Sequence, residues 1–357
     1  MASIGYAAFY NCAALGAFTL PSSATSVARD AFQGCRGLAS VGVNGTLGAL
    51  GDRAFLGCSA LAVITVDAAN ATYSSANGVL FNKARTTLLL CPAALSGSYT
   101  VPSTVTALAA GAFARCNALT SVTLPSSLAA ISDDAFYQAT ALSRVTIPES
   151  VTSIGTWALA GCPKLGSVTI PTSVTSVGND AFHFDGALAY ALFSGSAPTM
   201  GTTVFNAANS NFTIYYFATQ TGFSTPTWLG YPAVALTTPP AVVSWLAQYG
   251  YAPGVSTLSD ADGDGVSLLL AYALGLNPNA NLTGSVPAAT LGGNTLSLTF
   301  YGNRTDVNYT VQSSADLLTW TTKDVTLTTP DANGLRTASV PADAADGRRF
   351  LRLVVGY

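Results

Sequence analysis

The stretch "AFARCNALTSVTLPSSLAAISDDAFYQATALSRVTIP", residues 112–148, superimposes on itself. Phe113, Leu119, Val122, Leu124 and Pro125 are answered by Phe136, Leu142, Val145, Ile147 and Pro148, a step of 23 residues. Leu128 and Ile131 continue the pattern, answered by Val151 and Ile154. Working outward, the same anchor recurs at Phe9, Phe32, Phe55, Leu159 and Phe182, with a weaker copy at Phe205. One interval is longer: Phe55 to Phe113 spans 58 residues, one period plus a 35-residue insertion. A fixed period of this size predicts a solenoid, in which each period is one coil.

Within a coil, "LTSVTLP" alternates apolar and polar residues and is rich in β-branched ones, which predicts one short strand ended by its proline. A lone coil buries too few apolar side chains to offset the entropy of ordering its own backbone. Stacking, with strands of successive coils pairing about 4.8 Å apart, is therefore the condition for folding.

These motifs resemble the BspA-type leucine-rich repeat family, whose pattern runs close to "SVTSIGxxAFxGCxxLxxVxIP". "VTSIGTWALAGCPKLGSVTIPTSVTSVGNDAF" follows it for more than a period, and the resemblance extends over about residues 1–237. The insertion, "YSSANGVLFNKARTTLLLCPAALSGSYTVPSTV", is similar to a long hairpin repeat of that family. The resemblance implies a leucine-rich-repeat β-solenoid on a microbial surface protein used in adhesion or protein binding, and it implies no chemistry. Toward the end of the array Asp185, Ala191 and Asn211 replace the expected cysteine and apolar residues, as in a capping coil. Ile4 stands at mid-coil, so the sequence is expected to be a fragment whose export signal would precede Met1.

Composition narrows the function classes. Fourteen basic against 17 acidic residues give no electrostatic footprint for nucleic acid or an anionic membrane, and both partners are set aside. With 49% hydrophobic residues the chain is too apolar to be disordered, yet no apolar run is long enough to span a membrane.

Catalytic signals are weak, and no enzyme is expected. Cys12, Cys35, Cys58, Cys116 and Cys162 all stand three residues after an anchor and read as a ladder of reduced packing residues. Inter-coil disulfides and metal ligation are the alternatives; a 4.8 Å coil spacing exceeds the Cβ separation of about 3.8 Å that a disulfide prefers. Cys91 in "LLLCP" reads as apolar filler. His183, the one histidine, sits one residue past an anchor, where Tyr10, Leu56 and Ala114 stand elsewhere, and no nucleophile motif accompanies it. Asp133 and Asp134 read as a solvated turn rather than as members of a carboxylate pair with Glu149. The aromatic stretch 211–234, with Tyr215, Tyr216, Phe217, Phe223, Trp228 and Tyr231, reads as a seal on the last coil, or else as a platform for sugar or peptide. The sequons at Asn70 and Asn303 carry little meaning outside a eukaryotic secretory route.

After "TTPP" at 237–240, read as a linker, the pattern changes. Two short helices, "AVVSWLAQYG" and "VSLLLAYALGL", flank "DADGDG", which matches the first half of a calcium loop. Asp260, Asp262, Asp264 and the Val266 carbonyl are the candidate ligands, while Ala271 stands where a bidentate Glu is expected, so weak Ca²⁺ binding is anticipated. From 282 onward, period-two segments separated by turn residues predict a small antiparallel β-sandwich. The C-terminal order of motifs is similar to modules of secreted proteins from environmental bacteria, which implies export. The expected organisation is a solenoid over 1–237, a linker with a helix–acidic loop–helix over 238–281, and the sandwich over 282–357. The expected function is a non-catalytic, exported or cell-surface binding protein with an unknown protein ligand. A carbohydrate-binding protein using exposed aromatics near Trp228 or Trp320 is the alternative.

Overall fold

The computed structural model describes residues 3–342 and 348–357. The chain divides into two compact units, Met1–Ala235 and Leu236–Tyr357.

The first unit is the expected solenoid. Strands at the "LTSVT" position pair in parallel one period apart, as in Ser121 with Arg144 and Val122 with Val145, or Val41 with Ile64. Their inward residues are buried and their outward threonines exposed, as alternation requires. The anchors stack behind them: Phe9 on Phe32, Phe32 on Phe55, Phe113 on Phe136 and Phe182 on Phe205, with ring centroids 4.9, 5.2, 5.0 and 5.4 Å apart. Each such pair contributes about 0.5–1.5 kcal/mol beyond its burial.

One strand per coil was expected, and a second ladder is present. Ala130–Ile131, Ser153–Ile154, Ser176–Val177 and Thr199–Met200 form a parallel sheet, again one period apart. Two residues are too few for alternation to register in sequence. The glycine that follows this strand has a steric role: a Cβ on Gly178 would lie 2.5 Å from the Thr156 nitrogen of the preceding coil. Glycine thus sets how closely the coils approach.

The insertion folds into a meander. Tyr73–Ala76 pairs antiparallel with Val79–Asn82, which pairs antiparallel with Thr87–Leu90, and that strand joins Ala107–Leu108 in parallel, continuing the second ladder. This meander divides the buried core of the array. Leu80 packs with the residues before it, from Ile4 to Ile64, whereas Val79 and Phe81 pack with those after it, as far as Ala233.

The capping coil expected from Asp185 and Ala191 lies later in the chain, because both residues are fully buried and the ladder continues past them. After Thr213–Phe217 the sheet closes with the strand Tyr231–Leu236 and its antiparallel partner Thr227–Trp228.

In the second unit, α1 (Pro240–Gln248) starts at a proline, so the "TTPP" stretch is the helix entrance rather than a free linker. Helix α2 (Leu268–Leu274) is capped by Ser267, whose Oγ accepts from the Leu270 amide, and ends at Gly275 with φ 70°. Two antiparallel sheets follow, one of Ala289–Gly292, Thr295–Tyr301, Leu335–Pro341 and Thr326–Leu327, the other of Asn308–Ser314 and Phe350–Gly356. Leu298 and Phe300 of the first sheet and Val311 of the second share a cluster. Segment 238–281 is not separate from these strands: Val242, Leu246 and Tyr272 pack with Val307, Tyr309 and Val355 in one core. Helices of nine and seven residues are too short to stand alone, and the strands cover their apolar faces.

Candidate binding surface

The chain reverses between its two ladders at the anchor turn, and this turn sets which side chains reach the surface. Two positions per coil adopt left-handed backbone, one two residues before the anchor and one two residues after it. The first runs Ala7, Asp30, Arg53, Gly111, Asp134, Trp157, Asp180 and Thr203; the second includes Asn11, Arg115, Gln138, Gly161 and Phe184. This conformation suits Gly, Asn and Asp and strains bulky or β-branched residues, which makes Trp157 (φ 55°) and Thr203 (φ 54°) unusual occupants.

Along this face the coils are tied by amide bonds from each anchor to the next coil, Phe32 to the Ala54 carbonyl at 2.8 Å and Phe113 to Ala135 at 2.7 Å. At the insertion the series changes hands. The Ala112 carbonyl accepts from Cys91 of the meander at 2.8 Å, the bond that Phe55 would make in an unbroken array. The Phe55 and Phe113 turns are thereby held apart, and a cleft of about 520 Å³ opens between and beside them. Arg29, Asp52, Arg53 and Leu56 line one side, and Gly111, Arg115, Asp134, Tyr137 and Trp157 the other. Asp30 draws Arg29 (3.3 Å) and Arg53 (3.8 Å). Burial raises the Asp134 carboxyl above its usual range; Arg53 pulls it down and Asp133 pushes it up. The Asp133–Asp134 pair, expected to be a solvated turn, is thus split: Asp133 Oδ1 accepts from the Thr156 amide at 2.7 Å, and Asp134 lines the cleft half-buried.

His183 stands on the same face. Its Nδ1 meets Asp180 Oδ1 at 2.7 Å and its ring stacks on Trp157 at 5.3 Å. Asp180 is held below the usual carboxylate range by the Thr203 hydroxyl first and by His183 second. Both groups converge on the carboxylate. Thr203 Oγ1 bonds Asp180 and not the imidazole, so the geometry does not aim a nucleophile at the ring.

All six cysteines are free thiols. Three of the ladder cysteines have a task beyond filling space, since they reach back to the preceding coil: Cys35 Sγ donates to the Phe9 carbonyl (2.9 Å), Cys58 to Phe32 (3.1 Å) and Cys162 to Phe136 (3.4 Å). Burial pushes the Cys58 thiol up to about 12 and Cys162 further still, so neither is a nucleophile. Cys91 is buried, and its thiol is also shifted up by Cys116 and by burial. Cys12, expected to be buried with the ladder, is exposed in the first coil.

The aromatic stretch seals the array. Trp228 is buried against Phe193 (5.4 Å) and Phe223 (4.7 Å), and Tyr216 stacks on Phe223 at 4.4 Å. In the second unit Trp320 is half-buried, with the Arg352 guanidinium 4.3 Å over its ring. Asn70 is fully buried, its amide committed to the backbone of the previous coil, which removes it as a glycan acceptor in the folded chain.

The acidic loop brings Asp260, Asp262 and Asp264 together, with one ligand oxygen of each within 4.8 Å of the others. Asp260 Oδ1 accepts from the Gly263 and Asp264 amides and its Oδ2 from Gly265. Asp264 accepts from the Val266 and Leu282 amides. Val266 itself anchors the loop by burying its side chain in the helix core. Ala271 lies in α2, 1% exposed and packed in that same core, and its methyl supplies no ligand oxygen.

The fold and this surface define a repeat array that displays variable side chains on an invariant ladder. The chain belongs to the family described as the BspA type leucine rich repeat region, which matches residues 1–84 and 95–211 in six copies. Among solved structures it is similar to a leucine rich cell surface protein from Faecalibacterium prausnitzii A2-165, with 26% identity and a TM-score of 0.52, covering 60% of this chain and 57% of that one. It shares a fold with the pneumococcal vaccine antigen PcpA at 18% identity and a TM-score of 0.50, over 63% of this chain and 68% of that one. No curated protein matches it. Among the described residues no helix is long and apolar enough to cross a membrane.

Proposed function

We propose that this chain is an exported, non-catalytic binding protein whose repeat array recognises a protein partner at a bacterial surface. The observation that carries the reading is the turn face. Its positions one and two residues past the anchor carry Tyr10, Leu56, Arg115, Tyr137, His183 and Phe184 on a backbone that repeats from coil to coil. Such a face varies its chemistry without disturbing the fold, which suits recognition and adhesion. The cell surface protein of Faecalibacterium, similar over 60% of this chain, supports a place outside the cell.

The carbohydrate reading is weakened on the array because Trp228 is buried; Trp320 is its remaining candidate, with one face under Arg352. A binding panel of extracellular proteins separates the two, read by interferometry before and after enzymatic removal of glycans. Binding that survives deglycosylation and is lost in a Leu56→Glu/Phe184→Glu variant is the expected result. Binding that disappears with the glycans, or a panel without binders, would overturn the reading.

The acidic loop is proposed as a weak Ca²⁺ clamp of the second unit. Asp260, Asp262 and Asp264, with the Val266 carbonyl, would hold the ion, and its charge would offset the repulsion among three carboxylates.

A further inference from the structure

The insertion gives the array something its other coils lack. By separating the Phe55 and Phe113 turns it creates the cleft, and Arg115 reaches across: a Cβ on Gly57, at the opposite turn, would lie 3.3 Å from the Arg115 guanidinium. Gly57 thus leaves room for that side chain. Arg29 and Arg53 share Asp30, whereas Arg115 has no ion pair among the described residues, and its Nε is buried with no acceptor. The Nε is covered by the chain's own atoms, so an acceptor in the cleft would meet the end of the guanidinium, which no carboxylate of the described residues pairs.

The other wall is aromatic, Tyr137 standing edge-on to Trp157 at 5.9 Å. Trp157 occupies a left-handed position that equivalent coils fill with Ala7, Asp30, Arg53, Gly111, Asp134, Asp180 and Thr203, so it is the one aromatic ring in the series. A bulky residue there strains the backbone. The coil does not need a tryptophan at this point, and here the ring stands in the lining of the cleft beside Tyr137.

The geometry points to this cleft as the seat for a carboxylate-bearing segment of a protein partner, its Asp or Glu side chain held by Arg115 and a flanking apolar residue lying on Trp157 and Tyr137. The inference rests on the protein-recognition reading above. A guanidinium fork matches a planar carboxylate in two parallel hydrogen bonds. Asp52 and Asp134 in the lining repel a dianion such as phosphate more strongly than a single carboxylate, which favours one Asp or Glu between neutral residues.

The test uses the full chain labelled with ¹⁵N, reading Trp indole and Arg Nε–H resonances. The probes are two pools of end-capped random peptides, identical except for a fixed central Glu in one and Gln in the other. The Glu pool is expected to shift Trp157 and Arg115, and the Gln pool to leave them in place. Arg115→Lys is expected to weaken the Glu response about tenfold, since an ammonium cannot form the fork. Arg36→Ala, outside the cleft, leaves it unchanged. Trp157→Asn is expected to abolish the response and raise the melting temperature, because Asn tolerates the left-handed backbone. A residue with a purely structural role would lower it. Equal response to both pools, no response to either, a response unchanged in Trp157→Asn, or one reproduced by sodium acetate alone would overturn the proposal. If the deglycosylated panel still binds and Arg115→Lys leaves that affinity intact, the cleft assignment fails while protein recognition stands. A Glu-specific response beside a panel without binders gives the converse.

Discussion

At the scale of single residues, Asp185 occupies a ladder position where other coils place cysteine, and it is fully buried. Its Oδ1 accepts from the Cys162 amide at 2.7 Å, whereas Oδ2 is buried without a partner. Burial raises its carboxyl to about 8, with the Cys162 and Gly161 amides pulling weakly the other way. The folded-state value lies above the unfolded one of 3.8. The protonated acid is therefore the form that suits the fold: its contribution is complete below about pH 4 and is lost as pH rises toward 8. The loss approaches about 1.4 kcal/mol per pH unit in that window. Asp185→Asn mimics the protonated acid, so its melting temperature is expected to exceed that of the parent by a margin that widens from pH 5 to pH 8. A constant margin would show that Asp185 ionises freely in the fold. The periodic pattern located this position as a departure, but the capping role it suggested was mistaken, because a polar letter in a repeat does not reveal whether further coils cover it.

At the scale of elements, the period of the anchors and of the longer strand was legible because apolar residues recur at fixed offsets. The second ladder was not, since a two-residue strand has no alternation to detect. Nor was the cleft: the length of the insertion is visible in the sequence, but not that Cys91 would take the Ala112 carbonyl and hold the neighbouring turns apart. A further device was hidden by its resemblance to a glycosylation signal. Asn70 Nδ2 donates to the carbonyls of Asn44 (2.8 Å) and Leu47 (2.9 Å), and its Oδ1 accepts from the amides of Thr72 and Tyr73. Asn44 repeats the motif one coil earlier toward Pro21 and Ala24. Asn70→Ala strands these groups in a buried site and is expected to cost about 3 kcal/mol, seen as a lower urea midpoint. A change under about 0.5 kcal/mol would mean that the meander is held by its apolar contacts alone.

At the scale of the whole molecule, each compact unit has its own buried clusters, and the carboxylate loop belongs to the second. Calorimetry is expected to resolve two transitions. With a dissociation constant of roughly 10⁻⁴ to 10⁻³ M, 10 mM Ca²⁺ would stabilise the second unit by about 1.4–2.7 kcal/mol and leave the array where it was. Asp262→Ala should erase that shift. If Ca²⁺ moves neither transition, the loop is an acidic turn braced by its own amide bonds.

The seam made by the insertion also bears on how the array carries load. In an uninterrupted solenoid each coil grips the next equally, and a pull on the two ends peels the structure from whichever end is frayed. Here the buried core is divided at Leu80 and Phe81, so the array consists of two blocks joined through a three-stranded plate. Stretched in an optical trap, the array is expected to lengthen in two discrete jumps whose sizes divide it near residues 80–90. Under tension the array would then give way one block at a time, and the seam beside the cleft would stop the unfolding of one block from running on into the other.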